Sequence, residues 1–264
     1  MVKCPMIKTL LLLTTLFLIS CGNQGTELVK SRASGVVIGT LNWKDIGQNT
    51  KLKKSIKINA MAVADMMIPA AQSRCTGFLI TEDIIITNHH CVSDEKMAVH
   101  IIVNFAHEVN RLKSNDYTFK CDKFLGSNKD LDYALIKCDG KPGQKVGVLK
   151  LKQGFEMLAE DSLIYLIHHN CDYGINPRCS WTKKLSPGKI DTSDFDIIRH
   201  SADSLRGSSG APLFSLKDGL VIGLHHAGKL TNAKTQAGVY NQAVAMERIV
   251  EDIRISFPQL SLLL

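Results

Sequence analysis

From residue 35 to about residue 245 the chain is a succession of short β-type runs separated by turn residues. The runs lie at 76–81, 84–87, 98–105, 117–124, 133–138, 147–151, 163–167, 195–199, 211–214, 220–224 and 238–244. Runs of this length, closely spaced and punctuated by Gly, Pro, Asn and Asp, cannot build a helical bundle or a βαβ array and point to a barrel or sandwich. The strongest internal breaker is Asp139-Gly140-Lys141-Pro142-Gly143, which divides the strands into two halves. One helix is expected, at the end: Met246, Ile249, Val250 and Ile253 share a face, and Pro258 stops it.

The segment ahead of the strands has another character. Lys3 and Lys8 precede an apolar run from Leu10 to Ile19, followed by Ser20-Cys21-Gly22. A basic start, a short apolar core and a small residue make a secretory signal, too short to cross a hydrocarbon core of roughly 30 Å as a helix. Leu18-Ile19-Ser20-Cys21 resembles the bacterial lipoprotein box, which implies cleavage before Cys21 and acylation of its thiol. Gly22 in place of Asp implies sorting to the outer membrane, with later release by proteolysis left open. Residues 1–20 are thus read as signal, 21–34 as a polar tether, 35–255 as the folded domain and 256–264 as a tail. Within the domain the first barrel spans about 35–140 and the second about 141–245, with the helix at 246–255.

Removing the signal also removes Lys3 and Lys8, which lowers the formal charge from +7 to +5. The remaining excess includes Lys51, Lys53, Lys54 and Lys57, read as a solvated loop. No nucleic-acid motif accompanies it, so nucleic acid is not an expected partner. Once Cys4 leaves and Cys21 carries lipid, six cysteines remain: Cys75, Cys91, Cys121, Cys138, Cys171 and Cys179. An even number in an exported chain reads as disulfides, with sequential pairing expected. No C-x-x-C pair supports structural zinc. The adjacent histidines of 168–169 alternate across a strand, so each such pair supplies at most one ligand. No metal and no cofactor are expected.

Three strings carry the chemistry. They are Cys75-Thr76-Gly77-Phe78-Leu79-Ile80 with Thr87-Asn88-His89-His90-Cys91-Val92, then Asp132-Tyr133-Ala134-Leu135-Ile136, then Gly207-Ser208-Ser209-Gly210-Ala211-Pro212-Leu213-Phe214. Taken singly, each is an ordinary strand end, turn or flexible loop. Jointly they follow the order His, Asp, Ser of chymotrypsin-like hydrolases. The region from about Val36 to Ile255 resembles the trypsin/chymotrypsin-like serine proteases, in particular their bacterial glutamyl-endopeptidase-like branch. The string Gly35-Val36-Val37-Ile38-Gly39-Thr40 is similar to the start of the mature domain in that branch.

The resemblance implies an all-β fold of two six-stranded antiparallel Greek-key barrels with a C-terminal helix. It implies His90 as general base, with His89 as rival because Asn88 and His89 replace two alanines of the family motif. Asp132 is implied as the carboxylate behind the base, with Asp130 as alternative, and Ser209 as nucleophile. Backbone N–H groups of Gly207 and Ser209 would form the oxyanion hole. Ser208 stands where pancreatic-type enzymes have an Asp that pairs with a new N-terminus, so the site is expected to form without that salt bridge.

The expected pocket comprises Asp203, Ser204, His225 and Gly228. Asp203, six residues before Ser209, occupies the position that selects Lys or Arg, whereas His225 occupies the position that meets a substrate Glu. The reading leans to Asp203. The expected activity is that of an exported, lipid-anchored monomeric serine endopeptidase acting on protein or peptide substrates. An esterase with the same triad and a silent binding module are the alternatives.

Overall fold

The computed structural model describes residues 32–33, 35–109, 115–232, 235 and 237–261. The signal, Cys21 and nearly all of the tether lie outside the described residues. No described helix is long and apolar enough to cross a membrane.

Two short strands, β1 (Arg32–Ala33) and β2 (Lys44–Asp45), open the described chain, and helix α1 (Lys54–Met61) follows. The first sheet comprises β3 (Val63–Ile68), β4 (Ser73–Leu79), β5 (Ile84–Thr87), β6 (Ile102–Asn104), β7 (Thr118–Lys120), β8 (Lys123–Asn128) and β9 (Tyr133–Lys137). Its order is β7-β6-β3-β4-β5-β9-β8, antiparallel throughout, and the path does not close among the described residues. Helix α2 (Glu95–Ala98) lies in the connection from β5 to β6, and α3 (Pro142–Val146) follows β9 on the way to the second half. The breaker at 139–143 begins the crossing to the second half, as its Gly and Pro content predicts.

The second sheet holds β10 (Leu163–His169), β11 (Lys183–Ser193), β12 (Ile197–His200), β13 (Pro212–Ser215), β14 (Val221–Asn232) and β15 (Ala237–Ala245). These six pair in the ring β14-β13-β10-β11-β12-β15 and back to β14, a closed barrel. β1 adds to β14 and β2 to β11. The described chain is therefore mostly β, a closed six-stranded barrel beside a partly open, seven-stranded one.

Helix α4 (Met246–Ser256) buries Met246, Ile249, Val250 and Ile253, the face expected from their spacing. It also reaches back to the first half. Asp252 accepts hydrogen bonds from Tyr133 Oη at 2.5 Å and from Asn128 Nδ2 at 3.0 Å. The phenol sits in the core, and burial together with the nearby Asp252 carboxylate raises its pKa far above the ordinary range. A second tie is Lys183, wholly buried on β11, whose ammonium donates to the carbonyls of Ala60 and Phe105.

The structure corrects several local expectations. The lysine run 51–57 is partly helical: α1 buries Ile56 and Ala60, four residues apart, which anchor its otherwise polar surface. The run 98–105 divides into the end of α2 and the short strand β6, because Asp94 caps α2 through the N–H groups of Lys96 and Met97. The run 147–151 contributes only the bridge Leu151↔Val221. Helix α5 (Pro258–Ser261) occupies part of the expected tail. All six domain cysteines are paired in sequence order: Cys75–Cys91, Cys121–Cys138 and Cys171–Cys179.

His200, on β12, is fully buried with neither ring nitrogen hydrogen-bonded among the described residues. Burial, reinforced by nearby His226, lowers its pKa from 6.5 to about 3. The unfolded chain therefore takes up a proton near pH 6.5 that the folded chain refuses until about pH 3. This contribution to stability is complete above pH 6.5 and is lost as pH falls toward 3. Denaturant titrations between pH 7 and 4 should show stability declining with acid. His200→Phe should flatten that decline by up to about 1.4 kcal/mol per pH unit. An unchanged slope would mean that the folded protein already accommodates the proton.

Candidate active site

Asn88 ends β5 and divides the two histidines that follow. Its backbone C=O accepts from the N–H groups of Cys91 and Val92, which closes a tight turn, and its side-chain amide donates to the Asp132 carbonyl at 2.8 Å. His89 turns to β8, where Nδ1 lies 3.0 Å from Ser127 Oγ. His90 turns to Asp132. Its Nδ1 is 2.8 Å from Oδ2, and its backbone N–H donates to Oδ1 at 3.0 Å. The Cys75–Cys91 disulfide anchors this turn to β4. Asp130 is exposed, and its N–H joins the local turn through Asn128 Oδ1.

Asp132 sits at φ +46°, the left-handed region that non-glycine residues seldom occupy. A third group reaches its carboxylate, His226 Nδ1 at 3.3 Å from Oδ2. Burial pushes the Asp132 carboxyl up, but the His226 and His90 rings and the His90 N–H outweigh it and hold the pKa well below the carboxylate range. An ionised carboxylate only accepts, so both rings present Nδ1–H to it. In neutral His90 this leaves the lone pair on Nε2, on a side chain 44% exposed.

The loop carrying Ser209 is fixed by its main chain. Thr76 N–H donates to Ser209 O at 2.8 Å, and Thr76 Oγ1 donates to Gly207 O at 2.9 Å. Gly207 has φ +100°, and a Cβ there would lie 2.3 Å from the Trp181 ring and 2.9 Å from His169 O. Only glycine fits. Gly210, at φ +83°, packs so closely that a Cβ would lie 2.1 Å from Thr76 O and 2.3 Å from Thr87 Oγ1. Thr87 immediately precedes Asn88, so these contacts seat the Ser209 loop beside the His90 turn.

The Arg206 carbonyl accepts from Cys171 N–H, and the Ser208 carbonyl accepts from Ala211 N–H. In trans peptides the following N–H points the opposite way. The N–H groups of Gly207 and Ser209 thus face away from those partners and donate to no backbone acceptor among the described residues. Ser209 is 2% exposed and its hydroxyl forms no side-chain hydrogen bond among the described residues.

The expected pocket residues separate into two groups. Asp203 does not present its carboxylate to a pocket. Its oxygens accept from the N–H groups of Ile38 at 2.7 Å and Asn42 at 2.9 Å. Ser204 Oγ bonds Asn241 and accepts from Val36 N–H, and a Cβ on Gly228 would strike Asn241 and Val36. All three therefore hold the segment at 35–42. The spacing from Ser209 placed Asp203 at the right depth, but this segment lies over it and takes both oxygens.

His225 stays beside the nucleophile loop. Its carbonyl accepts from Gly210 N–H, its N–H donates to Ala211 O, and its buried ring makes an edge contact with His200 at 5.5 Å. Ser208, ahead of Ser209, bonds His168 Nδ1 at 2.7 Å, and His168 Nε2 bonds Ser186. Two participants were not anticipated. His226 received no role from the sequence, and Thr76 stood in the first string without a role of its own. The doubled histidine 225–226 was the visible signal, and the register shift between His225 and Ala227 leaves His226 outside the regular pairing of β14.

Residues 75–224 match the family model of the trypsin-like peptidase domain. Among solved structures, a Glu endopeptidase in complex with MPD aligns at TM-score 0.62 and 22% identity, covering 85% of this chain and all of that one. Rv3671c from M. tuberculosis H37Rv, in an inactive form, aligns at TM-score 0.56 and 14% identity, covering 83% and 96%. A curated relative, Secreted RxLR effector protein 73 of Plasmopara viticola, is 25% identical over 195 residues, 68% of this chain. The chain spans 45% of that relative's length.

If His226 supports Asp132, His226→Ala should slow fluorophosphonate labelling of Ser209 about tenfold, close to the low end for a hydrogen bond to a charged group. His226→Gln, which retains an N–H donor, should recover most of that rate. Equal rates in wild type and His226→Ala would reduce the ring to a packing role.

Proposed function

Because this chain belongs to the trypsin-like peptidase domain family, we propose that it is a serine endopeptidase working through Ser209, His90 and Asp132. The observation that carries the reading is the ionised Asp132 aligned on His90 Nδ1, with the Ser209 loop docked beside the same turn. No member of the constellation is replaced, which speaks against a silent binding module.

His90 Nε2 takes the proton of the Ser209 hydroxyl as Oγ attacks the substrate carbonyl carbon. Asp132 keeps the imidazole in the required tautomer and stabilises the imidazolium without taking the proton itself. The N–H groups of Gly207 and Ser209 receive the negative oxygen, each donor of this kind contributing about 2.7–4 kcal/mol to lowering a barrier. The tetrahedral intermediate collapses, His90 protonates the leaving amine, and water releases the acyl group by the reverse roles.

With Asp203 engaged by the segment at 35–42, the preference follows His225, and substrates with Glu before the scissile bond are favoured. The resemblance to glutamyl endopeptidases supports this choice. The signal and lipobox support export and anchoring at Cys21, and the secreted relative accords with export.

One set of measurements on the full chain tests the proposal. A fluorophosphonate should label wild type and leave Ser209→Ala unlabelled, and the labelled band should sediment with membranes unless Cys21→Ala releases it. Peptides ending in Glu should be cleaved faster than those ending in Lys or Arg. Absence of labelling in wild type would remove the enzyme reading. Labelling without peptide cleavage would favour an esterase.

A further inference from the structure

Behind the Ser209 loop the two sheets meet at three buried side chains that the proposed hydrolysis does not use. Asp65 on β3, His107 just beyond β6 and His169 at the end of β10 are 3%, 5% and 0% exposed. Each offers a ligand atom, and these atoms lie within 4.8 Å of one another. His169 Nδ1 lies 2.8 Å from the carbonyl of Trp181. A carbonyl only accepts, so the proton is on Nδ1 and the lone pair on Nε2. That Nε2 is buried without a hydrogen-bond partner, and so is Asp65 Oδ1. The other oxygen, Oδ2, accepts from Arg74 Nη1 at 2.8 Å and lies 2.6 Å from His107 Nδ1. Nδ1 is thus the His107 nitrogen that faces the carboxylate, and an ion held by both residues would take the place of its proton.

We propose that Asp65, His107 and His169 form a binding site for a divalent transition cation of the zinc class. Two buried acceptors without a donor are unfavourable, and a cation held among residues whose ligand atoms lie within 4.8 Å of one another removes the penalty. Two imidazoles and a carboxylate suit zinc, whereas calcium and magnesium favour sets made of oxygen alone. The His169 ring is also held through its other nitrogen by an oxygen, the carbonyl of Trp181, the arrangement that orients histidines toward zinc. The pair 168–169 supplies one ligand, because His168 points the other way to Ser208 and Ser186. Nearby Arg74 and Lys183 pair with Asp65 and Glu108, and the ammonium of buried Lys184 is taken up by the carbonyls of Asn170, Ser180 and Thr182.

The site would act as a clasp. Asp65 and His107 belong to the first half and His169 to the barrel, and the backbone N–H of His169 donates to Thr76 Oγ1, the hydroxyl that also holds Gly207. An ion here joins the halves at the point where the nucleophile loop docks.

The test uses the full chain, stripped with a chelator and titrated with Co²⁺ and Zn²⁺. The expected result is one ion per chain, the visible absorption of cobalt bound to nitrogen and oxygen ligands, and a higher thermal midpoint. His107→Gln and His169→Gln should each weaken binding by more than about 100-fold, beyond the loss that removing only an outer partner brings. His90→Ala should retain the site. Failure to bind either ion would overturn the proposal. Binding that survives both glutamine variants but disappears in His90→Ala would also overturn it, by placing the ion on the catalytic dyad. Circular dichroism of the stripped proteins checks folding, and His107→Gln decides the matter if His169→Gln does not fold.

Discussion

Thr76 joins the two halves of the molecule through groups that have no other role in the sheet. Its N–H reaches Ser209 O, and its hydroxyl donates to Gly207 O while accepting from His169 N–H. Its carbonyl stays within the first half and accepts from Thr87 Oγ1. The residue is fully buried, so water cannot replace these partners. Ser209 and His90, the proposed nucleophile and base, come from different halves, and their relative position depends on this junction. At the back of the molecule α4 makes the complementary tie, through Asp252 to Tyr133, the residue next to Asp132. The segments carrying Asp132 and Ser209 are thus each anchored to the opposite half.

The electrostatics follow from that placement. Asp132 is drawn out of water by burial, which alone would favour its neutral form. The two imidazoles and one backbone N–H reverse this, and one of those imidazoles, His226, belongs to the barrel. The barrel therefore supplies part of what keeps the carboxylate ionised.

Much of this was legible in the residues. Short runs with turn punctuation announced an all-β fold, because the period of a strand and its breakers are local properties. The strings around His90, Asp132 and Ser209 announced their order, and the even cysteine count announced the disulfides. What local pattern could not carry was long-range approach. Helix α1 was missed because only Ile56 and Ala60 face the core, too few to mark a period in KSIKINAM. Asp203 was assigned to a pocket because distance from Ser209 says nothing of the segment at 35–42 that lies across it. His107 and Asp65 gave no signal at all, since 42 residues separate them in the chain and only the β3–β6 pairing brings them together.

The junction is most directly tested by Thr76→Val, which keeps shape and removes the hydroxyl. The measurement is the rate of fluorophosphonate labelling of Ser209, with the thermal midpoint recorded alongside. Loss of the donor to Gly207 O should displace the loop and slow labelling about tenfold to hundredfold, in line with misplacement of a reacting group. The protein should stay folded, because most of the core is untouched. A Thr76→Val protein that labels at the wild-type rate would contradict the dependence of the site on this interaction.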